Sequence, residues 1–208
     1  LVDDPHLICS MKQLEALFGE VNPLAIAKEL TALNETYARW IAASPFAVLA
    51  TIGSGGLDCS PRGDPPGQLV HFLDDQTLVF PHRRGNNRND TLRNLVENPA
   101  LAVLFMIPGV GDCLRVNGEA TITTDPELLA GFEMNGKRPV CAIRMRVAAV
   151  YFQCKKAVHR AGLWQADQPQ NDNSIPTAGD MLRAAVEADF DGQAYDAAYP
   201  ARMKETLY

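Results

Sequence analysis

His82-Arg83-Arg84-Gly85-Asn86-Asn87-Arg88 places three arginines in seven residues of a chain whose formal charge is −6. The stretch lies between a β-rich run and the start of an amphipathic helix. A helix N-terminus leaves backbone N–H groups unpaired and carries partial positive charge, so a basic loop there suits a phosphate. Gly85 would let the backbone curl into an anion nest. Asn86 and Asn87 add side-chain donors, and each arginine offers a planar fork that matches phosphate oxygens. The same residues also suit a solvated loop whose arginines balance nearby acids.

Two further stretches carry chemistry. Ser60-Pro61-Arg62-Gly63-Asp64 ends a strand on an arginine beside a glycine, and Pro61, Pro65 and Pro66 stiffen it. Stiff loops bearing charge often form sites, although Arg62 and Asp64 could simply pair across a turn. In Tyr151-Phe152-Gln153-Cys154-Lys155-Lys156-Ala157, Cys154 stands beside two lysines. That setting lowers a thiol pKa, while a packed small hydrophobe is the commoner use of such a cysteine. Trp164 reads as core or interface before cofactor platform.

Other patterns fail on inspection. Gly131-x4-Gly136-Lys137 imitates a phosphate-binding P-loop, but Arg138 stands where Ser or Thr should bind magnesium and Pro139 blocks the helix. Gly109-Val110-Gly111 lacks the third glycine of a dinucleotide fingerprint. His6, His71, His82 and His159 are dispersed at no ligand spacing, so no metal site is expected. No hydrolase elbow occurs.

The 208 residues suit one domain with a sizeable core, and 47% hydrophobic with 21% charged residues is ordinary globular composition. An acidic chain does not make a general nucleic-acid coat. No apolar run is long enough to span a membrane, and no signal peptide is evident. Five scattered cysteines without C-x-x-C suggest free thiols in a reducing compartment, with the cytoplasm as default.

The elements that must position these residues follow from periodicity. Leu14, Leu17 and Phe18 predict a short helix, and Pro23–Ala43 a longer one with Pro23 in its first turn. Phe46–Ile52 and Leu57–Arg62 read as a hairpin around Gly53-Ser54-Gly55-Gly56. Gln68–Leu73 and Thr77–Phe80 form a second hairpin. Asp90, Leu92, Leu95 and Val96 mark a helix ended by Asn98-Pro99. Ala100–Ile107 is an apolar strand covered on both faces, Cys113–Thr123 alternates cleanly, and Val140–Gln153 is a long strand. Pro126–Phe132, Ala178–Ala188 and Tyr195–Leu207 read as helical, and Asp167–Thr177 as loop. Hairpin connections imply antiparallel pairing. About six such strands with flanking helices predict an α+β chain, mainly β, whose sheet curls into a small barrel. The division expected is one domain over 1–208, with an N-terminal helical segment (1–45), a barrel core (46–164) and C-terminal loop and helices (165–208).

Read in order, these runs resemble the FMN-binding split barrels of the pyridoxamine 5'-phosphate oxidase-like family. The resemblance runs from Phe46-Ala47-Val48-Leu49-Ala50-Thr51 and Asp58-Cys59-Ser60-Pro61-Arg62-Gly63-Asp64 through Gly85-Asn86-Asn87-Arg88 and Leu114-Arg115-Val116-Asn117-Gly118 to Tyr151–Ala157 and Leu163-Trp164. It implies a split β-barrel homodimer with FMN at the interface and a small-molecule substrate. The flavin phosphate would be held by Arg62, with Ser60, and by Asn86, Asn87 and Arg88, joined by Arg83 or Arg84. The oxidase's own strand motif after its arginine is replaced here by Gly63-Asp64-Pro65-Pro66-Gly67. Its Trp-x-Gly-Gly-Tyr-Arg type signature is absent after Trp164. The resemblance therefore implies an FMN-dependent oxidoreductase of another substrate, with a flavin- or deazaflavin-binding protein without turnover as the alternative.

Overall fold

The computed structural model describes residue 4 and residues 6–165, 175–186 and 189–207. Its centre is one antiparallel sheet of seven strands: β1 (Phe46–Gly53), β2 (Gly56–Gly63), β3 (His71–Asp74), β4 (Thr77–Pro81), β5 (Ala100–Met106), β6 (Cys113–Thr123) and β7 (Ala142–Gln153). Each of the seven runs read as strand forms one, against the count of about six expected. β3 starts later than the Gln68–Leu73 run, at His71, and its four residues pair with β4 as an edge strand.

The strand order is β2-β1-β5-β6-β7-β4-β3. β2 and β3 remain edges, so the sheet curls without closing. The curl is visible in the core: the rings of Phe80 on β4 and Phe105 on β5 stack with centroids 6.0 Å apart. Those strands stand three places apart in the order, which in a flat sheet would separate them by about 14 Å. Ala47, Leu49, Leu78, Val103, Leu114, Val116, Ile143 and Met145 fill the interior between them.

The helix α4 (Asp90–Glu97) lies against β1, β2 and β6. It buries Thr91 and Leu95. A hairpin turn holds its far end, since Glu97 Oε2 accepts from the Ser54 backbone N–H at 2.6 Å. Gly53 leaves room for this packing, because a Cβ there would press on the side chains of Asn94 and Glu97.

The N-terminal region differs from expectation. α1 (Met11–Phe18) forms, capped by Ser10. The single helix expected over Pro23–Ala43 is instead α2 (Pro23–Ala27) and α3 (Glu35–Ala43). The break has two causes. Leu30 exchanges backbone hydrogen bonds with Val150, at 3.0 and 2.8 Å, on a stretch of β7 that β4 leaves unpaired. Asn34 then starts a new helix by accepting from the Tyr37 N–H at 2.8 Å. α5 (Pro126–Ala130) and α6 (Lys156–Arg160) are short. α7 (Ala178–Ala185) and α8 (Gly192–Thr206) pack on each other. Of the loop expected over Asp167–Thr177, residues 167–174 lie outside the described residues, as do 187 and 188 of the helix expected to end at Ala188. No described helix is long and apolar enough to cross a membrane.

Candidate functional site

The curl of the sheet brings the end of β2 beside the segment that follows β4. Pro81 closes β4, and the chain then runs through residues 82–89 into the first turn of α4. Between these segments lies a cavity of about 300 Å³. All seven residues proposed from sequence line it: Ser60, Arg62, Arg83, Arg84, Asn86, Asn87 and Arg88. Segments twenty residues and more apart in sequence thus meet on one concave surface.

Their side chains play different parts. Arg62 is half-buried; its Nη1 donates to the Pro61 carbonyl at 2.8 Å and its Nη2 to Thr91 Oγ1 at 3.1 Å. Burial pushes its guanidinium below the ordinary value, with Asp58 opposing. Arg83 is committed to the frame. Its Nε meets Asp64 Oδ2 at 3.1 Å and its Nη1 donates to the Phe132 carbonyl at 2.6 Å. The turn pairing of Arg62 with Asp64 that the sequence left open does not form; Asp64 takes Arg83 instead. Burial raises the Asp64 carboxyl above its ordinary value, and the hydrogen bond and charge of Arg83 hold it back. Arg88 pairs with Asp90 at the exposed rim, and Ser60 Oγ bonds Asp58 Oδ2 at 3.2 Å.

The backbone curl expected at Gly85 sits elsewhere. Asn87 and Asn89 take the left-handed conformation, with φ of 61° and 57°. Asparagine tolerates this region better than most residues, so the curl needs no glycine. Asn89 occupies the N-cap position of α4 without a side-chain cap bond. Its Oδ1 lies 3.2 Å from His82 Nε2 instead. The first turn of α4 therefore meets the cavity with N–H groups that no cap side chain satisfies, partly offset by the acid Asp90.

His82 is the residue that sequence reasoning set aside. Its Nδ1 is buried with no hydrogen-bond partner among the described residues. Burial lowers its pKa, the Asn89 contact opposes this, and the positive charge of Arg62 adds a smaller push downward. Its place directly after the strand-ending Pro81, at the root of the basic loop, was the available signal. Cys154 and Trp164 are not at this cavity. Cys154 is an exposed thiol, and Trp164 donates from Nε1 to the Val110 carbonyl at 2.8 Å. Among the described residues no group of three His, Cys, Asp or Glu side chains could hold a metal ion.

The donor set fits an anion such as the phosphate of a flavin: a half-buried arginine, an uncapped helix start and two left-handed asparagines. The sequence match decides the family. Residues 33–154 match the family described as pyridoxamine 5'-phosphate oxidase. The chain belongs to the pyridoxamine 5'-phosphate oxidase family. The family match spans both β2 with Arg62 and the whole 82–90 segment, and it stops before Trp164.

Solved structures similar to this chain include HupZ of Group A Streptococcus, at 15% identity and TM-score 0.47, covering 57% of this chain and 92% of that one. General Stress Protein 26 from Bacillus anthracis has 20% identity and TM-score 0.42, covering 54% and 86%. A chain described as F420 reductase has 21% identity and TM-score 0.41, covering 60% and 100%. A search of curated proteins found no match.

Proposed function

We propose that the protein is an FMN-dependent oxidoreductase acting on a small molecule other than pyridoxamine 5'-phosphate. The observation that carries this reading is the cavity itself, which gathers Arg62, the 82–89 loop and the start of α4 in a chain of this family. When bound, FMN supplies the electron or hydride transfer through its ring. The protein binds and orients it. Arg62 and the donors of Asn86, Asn87 and Arg88 hold the phosphate, and Arg83, tied to Asp64 and Phe132, keeps the loop in place. Arg84 and Ser60 complete the rim.

A homodimer with FMN at the interface is part of the same proposal. Its support is the outward face of β1, β2 and β5, where Val48, Ala50, Ile52, Leu57, Pro61, Ala102, Leu104 and Met106 form one apolar surface.

The direct test is the absorbance spectrum of the purified protein, before and after addition of excess FMN. A stoichiometric flavin spectrum is expected; a colourless protein that takes up no FMN defeats the reading. Turnover with NAD(P)H or another reductant then separates an enzyme from a carrier. Pyridoxal phosphate formation from pyridoxamine 5'-phosphate at ordinary enzymatic rates would contradict the substrate part.

A further inference from the structure

The loop that walls the 300 Å³ cavity has a second side. His82, Arg83, Arg84, Gly85, Asn87 and Asn89 also line a neighbouring cavity of about 600 Å³. Its opposite wall is the segment from Lys137 to Cys141. Two cations, Lys137 and Arg138, join the shared Arg83 and Arg84 around it, together with Leu92, Val140 and Cys141. Among the described residues no carboxylate lines it. Arg83 and Arg138 are tied to Asp64 and Glu133 behind the wall, so in a chain of charge −6 the cavity surface itself presents basic groups and no acid among the described residues.

The wall is built rather than loose. Met134 and Lys137 exchange backbone hydrogen bonds at 3.0 and 2.9 Å around Asn135-Gly136, which take φ of 51° and 74°. Two left-handed residues in a two-residue loop make a tight hairpin turn. Arg138 Nε bonds Glu133 Oε2 at 2.6 Å across the base of that turn. Phe132, just before it, stacks on His71 with ring centroids 3.9 Å apart and accepts the Arg83 hydrogen bond. One arginine thus locks the basic loop to the hairpin. Among the described residues no carboxylate pairs with Lys137, which the turn carries at the cavity edge. The Gly131-x4-Gly136-Lys137 spacing therefore does not make a P-loop; it builds a turn that carries one cation to a ligand-sized cavity.

We infer that this second cavity is an anion-binding subsite for a phosphate or carboxylate attached to an apolar body, with Lys137 as its contact residue. The inference rests on the flavin reading of the first cavity. Two sources share this chemistry: the distal phosphate and base of a larger flavin such as FAD, and a separate anionic substrate that binds beside FMN. Leu92, Val140 and Cys141 would take the apolar part.

The test compares wild type with Lys137→Ala in three titrations. FMN should bind both equally. FAD is the probe for an extended cofactor, and inorganic pyrophosphate, added to the FMN-loaded protein, is the probe for a separate anion. A loss of about tenfold in one of these two titrations, with FMN unchanged, is expected from removing one charge-assisted contact. It also names the source. Lys137→Arg should restore most of it. Lys137→Ala that leaves both FAD and pyrophosphate unaffected overturns the subsite, and so does an equal loss for FMN, which would assign Lys137 to the first cavity. If no flavin binds, the cofactor reading fails separately. Pyrophosphate titration of the flavin-free protein then decides the subsite: a loss in Lys137→Ala supports it, and no loss overturns it.

Discussion

The two faces of the sheet at its β2-β1-β5 end are written in equally apolar sequence and end in unlike surroundings. On the inner face Ala47, Leu49, Leu101, Val103 and Phe105 are buried, because the curl of the sheet brings β4 and β7 over them. On the outer face Val48, Ala50, Ala102, Leu104 and Met106 are half-buried and Leu57 is 83% exposed. The run Ala100–Phe105 reads as covered on both sides, and one chain covers only one of them. The difference separates what the fold buries within itself from what it leaves at its surface.

The largest effect should come from the inner face. Phe105→Ala removes a fully buried ring in contact with Phe80, and is expected to cost about 3–5 kcal/mol in denaturant unfolding. Leu104→Ala, its neighbour on the outer face, should cost well under half as much in dilute protein. Equal losses for the two would mean that the outer face is already covered.

Next comes the Arg83–Asp64 pair, which carries the contrast into the site. Asp64 and Arg83 side chains are 9% and 14% exposed. Arg83→Ala leaves a nearly buried carboxylate alone, and removing one partner of such a pair costs about 3 kcal/mol. The pH dependence has a definite sign. A carboxyl raised in the folded state favours stability in acid and loses that contribution as pH rises through the raised value. Arg83→Ala removes what holds Asp64 down, so the variant should lose more stability at pH 7 than at pH 4. Adding Asp64→Asn should flatten that slope. A loss independent of pH would show that the hydrogen bond to Phe132, not the ion pair, is what Arg83 contributes.

Arg62→Ala should act on the ligand more than on the fold. Charge-assisted phosphate bonds contribute roughly 1.5–3 kcal/mol, so FMN affinity should fall about tenfold to a hundredfold while the unfolding midpoint moves little. Arg88→Ala should fall short of Arg62→Ala, because Arg88 is exposed and already shared with Asp90. Quenching of FMN fluorescence on titration gives both constants. Binding like wild type in both variants removes the phosphate assignment.

Where local pattern decides the outcome, the sequence was readable. Cys113–Thr123 alternates and is a strand over those bounds; the two hairpins lie where glycine and aspartate turns put them. Arg62 and the 82–88 loop each advertised charge at a strand end and a helix start, and the family resemblance is what joined them in one site. What was illegible depends on partners distant in sequence. Leu30 leaves a helix-like run because β7 has an unpaired edge. Asp64 chooses Arg83 over its near neighbour Arg62 because the curl brings β4's end to it. His82 reads as one dispersed histidine in the sequence, because its contact with Asn89 and the burial of its Nδ1 arise only when the loop folds back toward α4. The Asn135-Gly136 turn did carry a local hairpin signal, and the failed P-loop match drew attention away from it.

The smallest expected effect is the linkage between FMN and assembly, and it tests the outer face most directly. If that face is covered by a second copy, the apolar surface of β1, β2 and β5 is shared between two chains in a symmetric contact. If each FMN touches both chains, it binds the dimer and not the monomer, and mass action requires FMN to pull the equilibrium toward dimer. Each tenfold gain in dimer affinity on saturation with FMN corresponds to about 1.4 kcal/mol. Sedimentation across a dilution series, with and without FMN, reads that shift. Leu104→Glu should break the dimer and lower FMN occupancy together, while Arg62→Ala should lower occupancy without abolishing the dimer. A monomer with full FMN occupancy would return the outer face to ordinary exposed surface. A dimer indifferent to FMN would keep the interface and move the flavin wholly inside one chain.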